Sequence, residues 1–398
     1  MSGDVTGALP PRRIGSYDVG VPGPTLLVTG GVHGNEPAGV RAAARVLEEL
    51  REQGAKLCGR VVALRGNLGA LAAGARYLDR DLNRGWSAAA LAATRARPFA
   101  DRAAEDVEQL ALIEAFEEVE RTATGPIVYV DLHTSSAEGS PFLCLADTVD
   151  NRRLGLMTRV PIILGIEETL AGASLEWFAD RGIAGLAIEG GQHESPAAVD
   201  HHAAALWELL VGVGMLPASA VDLAAHRARL ARAVGDAPPV VEITERRAIS
   251  PQDGFVMEPG FVNFSPVVRG QLLATDRHGE LRAPAARHVL LPLYQALGED
   301  GYFLARRVRW FWLWLAERLR ALRLGALLPL LPGVRRAPED PDTLLADPRV
   351  ARWLLVEVFH LLGFRKQRDR GALKAFSRRL SRPENRRLVR PPQPLARP

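Results

Sequence analysis

The sequence predicts an α/β fold: a central sheet with helices on both faces, then a small β domain, then a C-terminal helical extension. Three observations lead there. Short, continuous apolar runs bounded by turn residues alternate with helical patterns through the first 215 residues, as in a sheet buried on both faces. After Pro238-Pro239 the chain turns to short β-type stretches and Gly-containing turns. From Arg306 onward apolar residues recur at spacings of three and four, the period of a helix. The expected boundaries are a catalytic domain over 1–235, a β domain over 236–304, a basic helical extension over 305–376 and a disordered tail over 377–398.

The elements follow in order. Thr25 to Thr29 reads as a buried strand, and Gly30-Gly31 ends it. A helix runs from about Pro37 to Gln53, since proline in the first turn of a helix forfeits no hydrogen bond. Arg60 to Leu64, Ile127 to Leu132, Ile162 to Ile166 and Leu186 to Ile188 are further strands, and Ala197 to Val213 is a closing helix. Val240 to Leu293 carries the turns Asp253-Gly254, Pro259-Gly260 and His278-Gly279 with little helical periodicity. Val308, Trp312, Leu315, Leu319 and Leu322 form the apolar series of the extension. Residues 377–398 are rich in Arg and Pro and poor in apolar side chains, a composition that favours disorder.

With 398 residues, 47% hydrophobic and 24% charged, the chain has the balance of a globular protein with a large core. Two isolated cysteines, Cys58 and Cys144, carry neither a disulfide framework nor a Cys-x-x-Cys metal knuckle, and they fit a reducing compartment. The first 25 residues hold no continuous apolar segment of the signal-peptide type. The run Trp310 to Ala316 is far short of a membrane span. A cytoplasmic location is the expectation. Charge is distributed unevenly: residues 1–304 hold 28 Lys+Arg against 38 Asp+Glu, net −10, whereas residues 305–398 hold 22 against 8, net +14. Only Lys56, Lys366 and Lys374 are lysines, so a coding bias toward arginine is discounted before any arginine is assigned a role.

Four strings carry chemistry. Gly30-Gly31-Val32-His33-Gly34-Asn35-Glu36-Pro37 lies where a buried strand gives way to a helix, the place where open α/β sheets bind ligands. His33 and Glu36 are close enough to share one metal ion; alone, the string reads rather as a polar loop capping a helix N-terminus. Val130-Asp131-Leu132-His133 ends the third strand, and the two-residue period puts Asp131 and His133 on one face. His, Glu and His would leave a tetrahedral zinc one open position for water. Asp131 either orients His133 from outside the metal or caps a turn. Arg76-Tyr77-Leu78-Asp79-Arg80-Asp81-Leu82-Asn83-Arg84 reads by itself as a solvated charged loop. In Ile188-Glu189-Gly190-Gly191, a carboxylate closes an apolar strand, and one-sided desolvation suits it to act as a base.

Taken in order, the four strings resemble the succinylglutamate desuccinylase/aspartoacylase family of zinc carboxypeptidase-like hydrolases: G-x-H-G-N-E, R-Y-x-x-x-D-L-N-R, D-L-H and a strand ending in Glu, over roughly residues 25–215. The resemblance implies a zinc-carboxypeptidase-like mixed sheet and one Zn(2+) per chain, with His33, Glu36 and His133 as ligands and Glu189 as general base. It also implies that Asn83 and Arg84 clamp a substrate carboxylate while Arg76 polarises the scissile carbonyl. Gly298 to Phe303 resembles the family stretch whose tyrosine enters the site from the second domain, which nominates Tyr302 over Tyr294. The pattern departs at the arginine that aspartoacylase-like members place about ten residues before the base. Here Leu175 to Arg181 supplies Arg181 only eight residues before Glu189, with Glu176 and Asp180 nearby, so neither N-acetylaspartate nor N-succinylglutamate is assumed. For His193-Glu194 a surface loop is preferred over a place in the pocket lining, and His201 and His202 are read as packed or exposed rather than ligating.

Trp310, Trp312, Trp314 and Trp353 lie in the basic extension. Its arginines and aromatics fit a membrane-surface segment, but the aromatics fall all round the helix. The reading preferred is a subdomain packed on the acidic core, with membrane contact second and nucleic-acid binding excluded for want of a recognisable module. The expected function is a zinc-dependent amidohydrolase acting on an N-acyl amino acid or related small carboxylate. The alternatives are a metallocarboxypeptidase and a non-catalytic zinc-binding or membrane-surface protein.

Overall fold

The computed structural model describes residues 9–170, 172–295, 298–350, 355–371, 373–379 and 382–388. In chain order the first strands are β1 Arg13–Asp18, β2 Thr25–Gly30, β3 Arg60–Arg65, β4 Ile127–Ser135, β5 Phe142–Cys144, β6 Ile162–Leu164, β7 Ala184–Gln192 and β8 Val240–Ala248. Then come β9 Val256–Met257, β10 Ser265–Val267, β11 Leu272–Asp276, β12 Gly279–Arg282, β13 Arg287–Leu290 and β14 Asp300–Arg307. Among the described residues one mixed sheet of eleven strands runs in the order β1-β3-β2-β4-β7-β5-β6-β8-β14-β13-β10.

Alternation along the strands explains why both faces are covered. Leu26 and Val28 join one core with Ala42, Leu47 and Leu206, from the helices Ala38–Glu52 and Pro196–Gly212. The intervening Leu27 joins the other with Leu112, Phe116 and Phe178, from the helices Ala104–Thr122 and Ser174–Asp180. Apolar residues at every position of a strand therefore serve two layers rather than one.

The second region differs from its expected form. β8, β14, β13 and β10 continue the main sheet, and only β9, β11 and β12 make a separate small sheet. The segment 236–304 is thus β-structured but shares the backbone hydrogen bonds of the first domain, chiefly through the β6–β8 parallel pair.

The extension is not simply helical. After the helix Trp310–Ala321, it forms an antiparallel sheet in the order β15-β16-β18-β17, from β15 Val334–Ala337, β16 Asp340–Ala346, β17 Phe364–Arg370 and β18 Leu373–Arg378. The helical period of residues 308–322 does not extend beyond them, and buried Leu344, Ala346 and Phe376 are spaced for a sheet face around Phe359 and Phe364. Part of the expected disordered tail is also ordered. The Arg382 N–H and the Asn385 side-chain amide both donate to the Gly182 carbonyl, at 3.1 and 2.7 Å, and Leu388 is buried in the main core. Residues 389–398, and Trp353, lie outside the described residues.

Candidate metal centre and active site

The carboxyl ends of β2, β4 and β7 lie side by side. In register, Gly30 is opposite Leu132 and His133 is opposite Glu189, so the loop after β2 and the ends of β4 and β7 open into one crevice. The loop carrying His33 demands its glycines. Gly31 has φ +73°, which side chains rarely adopt, and a Cβ on Gly34 would lie 2.0 Å from the Ala70 carbonyl carbon.

His33, Glu36 and His133 are all buried, with one potential ligand atom from each within 4.8 Å of the others. Glu36 stands between the histidines: its Oε1 is 2.8 Å from His33 Nδ1, and its Oε2 is 3.2 Å from His133 Nδ1 and accepts the Thr134 N–H at 2.9 Å. Each histidine turns its other nitrogen toward an outer carboxylate. His33 Nε2 lies 3.1 Å from Asp81, and His133 Nε2 lies 3.1 Å from Asp131. Asp131 in turn accepts a hydrogen bond from the Ser174 hydroxyl at 2.8 Å. Two imidazoles converging on a carboxylate, each backed by a further carboxylate, form the donor set and outer support that a divalent zinc-type ion requires. Asp131 is accordingly an orienting group and not a turn cap. Asp81 was not singled out in the sequence, although it stands in the R-Y-x-x-x-D-L-N-R string.

The local charges are strongly shifted. Burial alone would raise the Glu36 carboxyl, but the adjacent histidines hold it well below the usual range. Asp81 is likewise held down against its burial by His33, Arg76 and Arg84. His133 is raised well above the ordinary imidazole value despite burial, because Asp131 and Glu36 face it. Glu189 goes the other way: desolvation, aided by Glu36 and Asp131, lifts it to about 8. Its Oε2 is buried without a hydrogen-bond partner. An orphaned carboxylate oxygen at the mouth of a metal-type cluster is the sort of group that becomes satisfied only with a ligand present.

Arg76 lies 3.6 Å from Glu36 and 3.1 Å from Asp81. The Asn83 side-chain oxygen accepts the Ser174 N–H at 2.9 Å, and Arg84 approaches Asp300 at 3.6 Å. All three line the same pocket as Glu189 and the histidines, a cavity of about 190 Å3. Tyr302 does not. Along β14, Tyr302 and Leu304 point into the small-sheet core with Met257 and Leu273, while Phe303 and Ala305 face the other way. Strand alternation therefore delivers Phe303 to the pocket and withholds Tyr302. Tyr294 is also elsewhere, bonding the Glu258 carbonyl and the Phe261 N–H.

Two further residues line the pocket, one by the alternative not preferred from sequence and one without any sequence signal. His193 is no surface loop residue: it lines the pocket, 2.8 Å from the Thr134 hydroxyl and 3.3 Å from Gln295. Burial depresses its pKa. Arg379, from the extension, also lines the pocket, paired with Glu167 and 3.4 Å from Asp180. No local pattern marks Arg379, because nearly two hundred residues separate it from Glu189. Arg181 instead stacks on Trp177 at 3.7 Å and lies 3.6 Å from Glu117 and 3.8 Å from Glu120.

Parts of this chain resemble known proteins. Residues 22–171 match the family model of the succinylglutamate desuccinylase/aspartoacylase catalytic domain. The chain is 37% identical over 113 residues to the succinylglutamate desuccinylase of Burkholderia pseudomallei (strain 1710b), covering 28% of this chain and 31% of the relative. It is 35% identical over 129 residues to that of Pseudomonas aeruginosa (strain LESB58), covering 32% and 36%. The chain thus spans about a third of the length of the curated relatives it matches. Among solved structures, the succinylglutamate desuccinylase/aspartoacylase from Rhodobacter sphaeroides superposes with a TM-score of 0.54 at 18% identity, over 73% of this chain and 87% of that one. The product-bound ectoine utilization protein EutE (DoeB) from Ruegeria pomeroyi gives 0.52 at 20%, over 71% and 84%. These two show a common fold. The likeness to the succinylglutamate desuccinylase/aspartoacylase catalytic domain thus lies within residues 22–171.

Proposed function

We propose that the protein is a zinc-dependent amidohydrolase that removes the acyl group from an N-acyl amino acid or a related small carboxylate. The observation that carries this reading is the unpartnered Glu189 carboxylate in register with His133, beside the convergent His33, Glu36 and His133. Zinc held by those three residues would supply Lewis acidity and lower the pKa of a coordinated water to near 7.

The remaining work falls to the chain. Asp81 and Asp131 hold the imidazoles in orientation. Glu189 accepts the proton of the attacking water and returns it to the departing amine nitrogen, a transfer suited to a carboxyl raised toward neutrality. Arg76 places a fixed positive charge beside the developing oxyanion. Arg84, with Asn83, receives a substrate carboxylate in exchange for its contact with Asp300, since a planar guanidinium accepts carboxylates in bidentate fashion. Leu145, Ile166, Leu170, Leu175, Leu293 and Phe303 give the pocket an apolar wall, and Arg379 would meet an acidic acyl group by exchanging its pairs with Glu167 and Asp180. A cavity of about 190 Å3 suits one small molecule better than a peptide chain.

The test is free-amine release from a panel of N-acyl amino acids with apolar and acidic acyl groups, using zinc-loaded and chelator-treated protein. Metal-dependent turnover is expected, with Arg379→Ala raising KM selectively for acidic acyl groups. Turnover unaffected by removal of all metal, or confined to C-terminal peptide bonds, overturns the reading.

A further inference from the structure

The sequence predicts that the extension packs its apolar face on the acidic core. Its charges do meet that core: Arg320 lies 3.1 Å from Asp147, Arg365 lies 3.1 Å from Glu168 and 2.8 Å from Glu242, and Arg382 lies 2.6 Å from Glu120. Its aromatics do not. In the helix Trp310–Ala321, Trp310, Phe311, Trp312 and Trp314 are 49–56% exposed. The side of the helix facing the protein is instead Ala316, Leu313 and the guanidinium of Arg320. At 100° per residue, Trp310, Trp314, Arg318 and Leu322 follow one ridge, with Phe311 beside it. Phe311 packs against Trp312 and Trp314 at ring distances of 5.3 and 6.2 Å, so these three rings form one cluster beside Trp310. The following turn adds exposed Leu327, Leu330 and Leu331.

We propose that this face docks the protein peripherally on an anionic lipid surface. A cluster of exposed large apolar side chains marks an interaction site, and its surroundings select the occupant. Arg309, Arg318, Arg323 and Arg335 are exposed and make no ion pair among the described residues. Residues 305–398 as a whole carry a net +14. A second copy is disfavoured because a symmetric contact would bring these arginines against their own duplicates. Tryptophan side chains suit the headgroup level of a bilayer, and arginines beside them attract anionic headgroups. A helix of this kind lies in the interface plane with its apolar face sunk about 5–10 Å, and no described helix is long and apolar enough to cross.

The experiment is co-sedimentation of the full chain with phosphatidylcholine vesicles, with and without phosphatidylglycerol, at low and high salt. The expected result is binding at least about tenfold tighter to the anionic vesicles, weakened by salt as screened charges require. A combined Trp310→Ala, Phe311→Ala, Trp312→Ala and Trp314→Ala variant should lose it, while circular dichroism and bound zinc stay unchanged, because these side chains are outside the core. A second variant, with Arg318, Arg323 and Arg335 changed to Gln, should lose the anionic preference. Equal sedimentation of wild type and the aromatic variant overturns the proposal. So does wild-type self-association in light scattering that the aromatic variant abolishes, which would assign the face to a second copy.

Discussion

Two buried clusters of ionisable groups resolve their charge in opposite ways. Around Asp147, three guanidiniums from Arg152, Arg320 and Arg365 converge on one carboxylate. Burial would raise Asp147, but these arginines hold it well below the usual range. Around Glu36, by contrast, Glu189 keeps an oxygen without a partner and is driven up to about 8. The first cluster is compensated from within and ties the extension to the catalytic domain. The second leaves its charge to be completed by a ligand. A buried ion pair is weak evidence of stability in itself, so what separates a fastening from an active site is which groups remain unsatisfied.

The largest expected effect is on catalysis. Glu189→Gln should lower kcat by about 10²–10⁴ while zinc binding is kept, as amine release and metal analysis would show; retained activity would remove Glu189 from the mechanism. Stability should respond in the reverse order. In metal-free protein, Glu189→Gln should leave the urea midpoint unchanged or raised, because it removes a desolvated carboxyl with an orphaned oxygen. Asp147→Asn should cost about 3–5 kcal/mol, the penalty of stranding buried cations, visible as a lower urea midpoint. Equal losses in the two variants would erase the distinction.

The smallest effect is a pH dependence of that loss. Asp147 has a depressed pKa in the folded state, so the unfolded state takes up its proton first. Its stabilisation is fully present above the unfolded value near pH 4 and fades as pH falls toward the lower folded value. The difference in urea midpoint between wild type and Asp147→Asn should therefore shrink below about pH 4. A constant difference down to pH 2 would mean that the aspartate does not act through its charge.

Much of the catalytic half was legible in the sequence because its determinants are local. A strand end, a glycine that must take positive φ and a helix start fall within eight residues around His33. Asp131 and His133 share a strand face by simple alternation, and Glu189 closes an apolar strand. Tyr302 shows where such reasoning stops. A match to a stretch of chain places a tyrosine near the site but does not say which face of β14 it occupies, and a shift by one residue exchanges pocket for core. β15 to β18 are not signalled by the helical period, which ends at residue 322, before the first of them.

From the sequence alone came the α/β pattern, the order of the four strings, the His33, Glu36, His133 and Glu189 set and the charge asymmetry between residues 1–304 and 305–398. All of these are encoded by spacing along the chain or by composition. The tertiary structure decided the rest: that Asp81 and Asp131 back the two histidines, that Arg379 reaches the pocket, that Tyr302 does not, and that the aromatics of the extension face outward. Those facts depend on contacts between residues far apart in sequence, such as the 212-residue separation between Glu167 and Arg379. A linear pattern shows which side chains are available, whereas packing of the whole chain selects which of them share one buried space.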